Sequence, residues 1–154
     1  MKRSPAKGRQ RAAGQGAKAT SAHAHYKRAL RLEEADAASA RAAYEECLQG
    51  DCSHLEARIN LGRLLHQEGL LREAEALYRA AQEPSALLYF NLGVLLEDLR
   101  REIEAIHAYG QAILHDPTMA DAHFNLSLLH ERLGEARAAF RHLLAYRRLI
   151  RLSA

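Results

Sequence analysis

The chain has 154 residues, of which 48% are apolar and 27% are charged, and its formal net charge is +3. This apolar content is enough for a hydrophobic core, which excludes a largely disordered protein. No run approaches the roughly 18 uninterrupted apolar residues of a membrane-spanning helix, so we expect no membrane insertion. Two cysteines supply neither a disulfide framework nor a zinc quartet, and we expect a cytoplasmic protein. Three prolines and abundant Ala, Leu, Arg and Glu predict an all-α fold.

The charge is divided into three blocks along the chain. Residues 1–32 contain nine Lys or Arg and no acid, residues 33–135 contain 19 acids and eight Lys or Arg, and residues 136–154 contain five Arg and no acid. Residues 1–20 are rich in Gly, Ala and basic side chains, which predicts a disordered basic N-terminal arm. Six cations in this arm are candidates for contact with the phosphates of nucleic acid: Lys2, Arg3, Lys7, Arg9, Arg11 and Lys18. A solvated tail, which we favour, and a targeting presequence are the alternatives.

We predict a helical hairpin over residues 21–52. It is a degenerate version of the three repeat units that follow it. Its second helix carries Ala40, Tyr44 and Cys47 in register with the second helices of those units. A small side chain at this register is typically buried, so we interpret Cys47 as structural and expect no redox role for it. Cys52 falls in the loop that follows.

Three further units are visible as an internal repeat. Their shared Asn-Leu pairs begin at Asn60, Asn91 and Asn125, and the first of the two intervals is three residues shorter than the second. Each unit contains two runs of apolar residues at helical spacing, separated by a turn at Gly69, Arg100 or Gly134. The sequence therefore predicts three helical hairpins over residues 53–84, 85–118 and 119–154. Ser53, Ser85 and Thr118 are the predicted N-caps of the first helices.

The repeat resembles the tetratricopeptide repeat, a helix-turn-helix unit whose usual length equals the longer of these two intervals. The Leu-Gly pair of that pattern is present as Leu61-Gly62 and Leu92-Gly93, and as Leu126-Ser127 in the last unit. The small residue of the second helix is Ala74, Ala105 or Ala139, and the bulky residue four positions later is Tyr78, Tyr109 or Leu143. The resemblance implies a right-handed α-solenoid of stacked antiparallel helical hairpins, with residues 21–52 as a capping unit and residues 119–154 ending in a basic helix. It also implies a scaffold that binds proteins without catalysis or a cofactor.

In such a solenoid the first helices line a concave groove, and helical phase selects the side chains that face it. The predicted partner-binding residues are Ile59, Asn60, Arg63, Phe90, Asn91, Val94, Glu97, Phe124, Asn125, Leu128 and Glu131. Because an Asn amide both donates and accepts hydrogen bonds, the Asn row can hold the backbone of an extended peptide. A solvated Asn row without ligand contact is the alternative. The acids of the groove, with Asp98, favour a partner that combines apolar and basic side chains.

Several other functions find no support in the sequence. Some relatives clamp the C-terminal carboxylate of chaperones, but of the residues that do so only Asn91 is present here, and Asp121 would repel the anion. His130-Glu131 opens a zinc-protease motif that lacks its second histidine, so we expect neither a metal site nor an enzyme. The main alternative to a protein-binding scaffold is a nucleic-acid-associated adaptor, in which the basic arm contacts phosphate. We expect a monomer or a weak homo-oligomer.

Overall fold

In a computed structural model, which describes residues 21–152, the chain forms helices joined by short turns and contains no strand within that range. The first helix, α1, occupies residues 21–32. The other seven are α2 (Ala37–Gly50), α3 (Leu55–Gln67), α4 (Leu71–Arg79), α5 (Ala86–Asp98), α6 (Glu102–His115), α7 (Ala120–Arg132) and α8 (Ala136–Leu152).

The chain divides into two compact units, Met1–Leu64 and Leu65–Ala154, and the division falls within α3. In the described part of the first unit, small residues of α1 and α2 are fully buried together with Tyr44 and Cys47. Burial raises the pKa of the Cys47 thiol to about 11. A protonated thiol is a poor nucleophile, which agrees with a structural role for Cys47. Cys52 is exposed.

The second unit contains α4 to α8, and its core includes Leu side chains from α5 and α7 together with Tyr109 of α6. Leu88, Leu95, Leu96, Leu126 and Leu129 are all essentially inaccessible to solvent. Gly93 lies directly against the ring of Tyr109, and a Cβ atom at this position would be 2.6 Å from Tyr109 Cε1. The Gly of the Leu-Gly pair is therefore required because α5 and α6 approach each other closely here.

The turns within the three hairpins have a common geometry. Gly69, Arg100 and Gly134 have positive φ angles of 78°, 60° and 75°. The residue after each of them donates its N–H to a carbonyl five residues back, as in Leu70 to Leu65 at 2.9 Å, which is the Schellman motif. The predicted turn positions are confirmed. Arg100 adopts a backbone conformation that is favourable for Gly and costly for a residue with a Cβ atom.

Only one of the three predicted N-caps is present. Ser85 accepts the N–H of Leu88 at the start of α5. The predictions for Ser53 and Thr118 are wrong, because each hydroxyl donates instead to an Asp two residues earlier, Asp51 or Asp116, at 2.6 Å. These hydrogen bonds lower the pKa of both carboxyls. An Asp at this position forms a local turn that competes with capping.

Two second helices differ from the others. Helix α4 has only nine residues, whereas α2 and α6 have 14 each. The loop after α4, residues 80–85, is two residues longer than the loop 116–119 after α6, so the interval between Asn60 and Asn91 is three residues shorter than that between Asn91 and Asn125. Helix α8 has no fully buried residue among those described.

Candidate functional site

In the second unit, side chains of α5 and α7 form a partly exposed apolar surface, which we call the α5–α7 face: Phe90, Asn91, Val94, Phe124, Asn125 and Leu128. Phe124 and Leu128 are 38% and 41% exposed, while Phe90 and Val94 are half-buried. Beside them lies an open depression of about 290 Å³. Its lining includes Phe124, Leu128, Glu131 and two residues of α8 that the sequence analysis did not select, Phe140 and Leu143.

The structure separates the three asparagines into two groups. Asn125 donates its amide to the hydroxyl of Tyr109 at 3.1 Å, and in the first unit Asn60 donates to the hydroxyl of Tyr44, also at 3.1 Å. In both pairs the Asn follows the Tyr by 16 residues. These two amides therefore fasten one hairpin to the next. Asn91 instead donates to the carbonyl oxygen of Leu87 in its own helix at 3.0 Å.

Asn91 lies in the repeat that follows the shortened one. Tyr78, the equivalent of Tyr109, is three residues closer to Asn91 along the chain than Tyr109 is to Asn125. The amide of Asn91 donates within its own helix, while its acceptor oxygen can serve a ligand. Asn91 is therefore the best candidate among the three for contact with a peptide backbone.

Tyr44 and Tyr109 also each donate a hydrogen bond to a carboxylate. Tyr109 donates to Glu97 Oε1 at 2.8 Å, and Arg132 of α7 donates to Glu97 Oε2. Burial, followed by the bond to Glu97, raises the pKa of the Tyr109 hydroxyl, so it stays protonated as the donor. The first unit repeats this arrangement, because Tyr44 donates to Glu33 at 2.6 Å and Arg63 forms an ion pair with Glu33. This Glu–Tyr–Asn–Arg network was not predicted, although the repeated Tyr–Asn spacing was a visible signal.

Intramolecular hydrogen bonds and ion pairs reduce the negative charge that the candidate site can offer to a partner. Glu97 is satisfied by Tyr109 and Arg132, and Asp98 lies 2.6 Å from Nε2 of His66. Intramolecular partners therefore occupy two of the three acids that we expected to attract a basic partner. Glu131 remains exposed at the edge of the depression.

The predicted site residues of the first unit have limited accessible surface. Ile59 is only 6% exposed, which leaves little of its side chain for a partner. Asn60 and Arg63 are engaged with Tyr44 and Glu33. The candidate phosphate contacts in the basic arm, Lys2 to Lys18, lie outside the described residues.

Three histidines cluster where α7 packs against α8. The Nδ1 atoms of His123 and His142 are 3.1 Å apart, and the ring of His142 stacks on that of His130. Burial, together with the nearby His123, His130 and Arg141, lowers the pKa of His142 to about 4. Across residues 21–152, no group of three or more His, Cys, Asp or Glu side chains is arranged to hold a metal ion. None of the helices in the same range is both long and apolar enough to cross a bilayer.

Comparison with protein families gives a match to the tetratricopeptide repeat over residues 55–83 and 86–118. These two segments coincide with the hairpins α3–α4 and α5–α6. The chain contains tetratricopeptide repeats. The predicted fold class, an all-α solenoid of helical hairpins, is confirmed, and tetratricopeptide repeats serve in general as non-enzymatic scaffolds that bind other proteins.

Solved structures of tetratricopeptide repeat proteins share this fold. A crystal structure of MamA superimposes with a TM-score of 0.74 at 22% identity, covering 84% of this chain and 73% of MamA. PilF of Pseudomonas aeruginosa gives a TM-score of 0.78 at 17% identity, covering 90% of this chain and 70% of PilF. YrrB, described as a tetratricopeptide repeat protein with an unusual peptide-binding site, gives 0.73 at 19% identity, covering 94% of this chain and 76% of YrrB.

A similar sequence also occurs within a much longer human protein. Protein O-mannosyl-transferase TMTC3 is 33% identical over 93 residues, which is 58% of this chain. The chain spans only about a tenth of the length of TMTC3, because the match covers 10% of that protein.

Proposed function

We propose that this tetratricopeptide repeat protein is a scaffold that binds a segment of a partner protein on the α5–α7 face. The observation that carries the proposal is the exposed apolar pair Phe124 and Leu128 beside the depression of about 290 Å³. Exposed apolar residues that surround a depression are typical of sites that take side chains of a partner. The peptide-binding site ascribed to YrrB, which shares the fold, agrees with this function.

The partner chemistry follows from the groups around the depression. Phe124, Leu128, Phe140 and Leu143 favour an apolar side chain of the partner. Glu131 at the edge favours a Lys or Arg next to that side chain, since opposite charges across an interface improve selectivity. On α5, the oxygen of the Asn91 amide can accept a backbone N–H of the bound segment.

The experiment is selection of peptides from a random library on the immobilised chain, followed by titration of the best peptide by fluorescence anisotropy. The double variant Phe124→Ser with Leu128→Ser should weaken binding by about tenfold or more, since each buried apolar side chain contributes about 1.5–3 kcal/mol. Leu30→Ser, which removes an equally exposed Leu from α1, is the matched control. Glu131→Lys should lower the affinity for peptides that contain Lys or Arg and leave the affinity for neutral peptides unchanged. Equal affinity for the double variant and the wild-type chain would refute the site.

A further inference from the structure

His123 of α7 and His142 of α8 form a contact that requires a neutral acceptor ring. Their Nδ1 atoms are 3.1 Å apart, so one ring donates an N–H and the other accepts it. A proton added to the accepting nitrogen would set two N–H groups against each other. The hydrogen bond between the two helices would then be replaced by repulsion.

The groups packed around this pair disfavour a positive charge. The ring of His130 stacks on that of His142 with the centroids 5.5 Å apart, and Arg141 precedes His142 in α8. Burial, followed by the charges of His123, His130 and Arg141, lowers the pKa of His142 to about 4. Burial also lowers the pKa of His123. Both rings are therefore neutral at pH 7, where the contact is intact.

Two nearby acceptors favour a proton but do not neutralise the pair. The carbonyl oxygen of Pro117, in the loop before α7, opposes the lowering of the pKa of His123. The carboxylate of Glu135, in the turn before α8, lies 2.5 Å from Nδ1 of His130 and is thus bonded to the third ring. A carbonyl dipole does not balance a full charge, so a protonated pair remains unfavourable.

Helix α8 has little else to hold it when this contact fails. It packs against α7, and none of its described residues is fully buried, whereas α5 and α7 each bury several. Elements with few buried apolar contacts open at a lower cost in free energy than the core of a domain. We therefore expect α8 to detach before the rest of the second unit unfolds.

The same helix supplies one side of the proposed binding site. Phe140 and Leu143 of α8 line the depression together with Phe124 and Leu128 of α7. The ring of Tyr146 packs on that of Phe124, with the centroids 5.0 Å apart. Release of α8 removes all three of its side chains from the site. The histidines do not line the depression, so protons taken up there act on it through α8.

We propose that acid releases α8 from α7: protonation of His123 and His142 separates the two helices and dismantles the depression, so that peptide binding on the α5–α7 face is lost at low pH. This inference rests on the proposed function of that face. The device works in both directions. A bound peptide that contacts both helices holds α8 in place and keeps protons off the two rings.

Hydrogen exchange measures the release of α8 without any peptide. In released α8 the pKa of His142 returns to its ordinary value of 6.5, whereas in docked α8 it is about 4. Lowering the pH from 7.5 to 5.0 then favours release by up to about 30-fold, and by about tenfold once the partial exposure of the ring is allowed for. The protection factors of the α8 amides should fall about tenfold over this range, and those of α6 by much less.

Two variants assign the effect to the histidine contact. His142→Gln keeps a side chain that can donate to His123 but takes up no proton, so it should remove most of the loss of α8 protection. His107→Gln, which removes an exposed histidine of α6, is the matched control and should behave like the wild type. The proposal is overturned if α8 protection does not change with pH, if α6 loses as much as α8, or if His142→Gln keeps the full loss.

The link to binding is tested with a library peptide selected at pH 7.5, acetylated and amidated, without charged side chains. Because this peptide needs α8 in place, saturating it at pH 5.0 should return α8 protection to about its value at pH 7.5. A peptide that binds at pH 5.0 without protecting α8 would refute the link between the helix and the site. If no peptide binds even at pH 7.5, the proposed function has failed, while exchange in the free chain still decides whether acid releases α8.

Discussion

The close approach at Gly93 makes a sharp prediction about stability, because the same substitution at Gly110 should act in the opposite direction. In Gly93→Ala the added Cβ atom would lie 2.6–2.9 Å from three atoms of the Tyr109 ring. The ring cannot move aside freely, since its hydroxyl bonds to Glu97 at 2.8 Å and to Asn125 at 3.1 Å. Overpacking in a core costs about 1–3 kcal/mol, and each weakened hydrogen bond costs about 1 kcal/mol more.

Against this cost, alanine improves helix propensity by about 0.5–1 kcal/mol, so we expect Gly93→Ala to lower the free energy of unfolding by about 2–3 kcal/mol. Gly110→Ala gains the same helix propensity without a steric clash, so it should raise the free energy of unfolding by about 0.5–1 kcal/mol. Urea unfolding followed by circular dichroism measures both values. If Gly93→Ala were neutral or stabilising, the predicted packing of α5 against α6 at Tyr109 would be refuted.

Three further predictions concern the turns, the hydrogen-bond network and the histidine cluster. Arg100→Gly removes a Cβ atom from a positive-φ position and should raise the free energy of unfolding by about 1 kcal/mol in the same urea assay. Tyr109→Phe removes the donor to Glu97 and the acceptor for Asn125, and should lower it by about 1–3 kcal/mol; an unchanged midpoint would refute the structural role of this hydroxyl. His142, whose pKa falls to about 4 in the folded chain, stays neutral there while the unfolded chain takes up a proton below the usual value near 6.5. The free energy of unfolding should therefore be highest above pH 6.5 and fall by about 2–3 kcal/mol as the pH drops to 4. This figure allows for the partial exposure of His142, because solvent screens the effect of its pKa shift. His142→Gln should flatten this dependence, which thermal melts across the pH range would reveal, and an equally steep profile in that variant would contradict the assignment.

The repeat, its turns and its core residues were predictable from the sequence because they depend on local spacing. Apolar residues at helical intervals located the hairpins, and Gly69 and Gly134 located turns that need a positive φ. The capping predictions at Ser53 and Thr118 failed for an equally local reason, since Asp51 and Asp116 compete for the hydroxyls. The competing Asp was visible in the sequence, but nothing there ranks a turn above a cap.

The candidate site was less predictable, because its polar groups depend on neighbours in another hairpin. Asn91 and Asn125 have the same place in the repeat, yet only Asn125 reaches a tyrosine. Glu97 is 35 residues from its partner Arg132, and Asp98 is 32 residues from His66. Such pairs become apparent only when the angle and separation of successive helices are known. A sequence pattern selects the side chains of a face but does not show which of them are already bonded.

The shortened repeat adjoins two features of the second unit that a full-length repeat lacks or fills differently. In the repeat that follows it, the amide of Asn91 donates to the carbonyl oxygen of Leu87 in its own helix, so that its side-chain oxygen can serve a ligand. Helix α4 of the shortened repeat has only nine residues, and an open cavity of about 460 Å³ lies beside it, lined by residues of α4, α5 and α6. Where the repeat keeps its full length, Asn125 bonds to Tyr109. A regular repeat is thus stabilised by its own polar groups, whereas an irregular one leaves groups and space that a ligand can use.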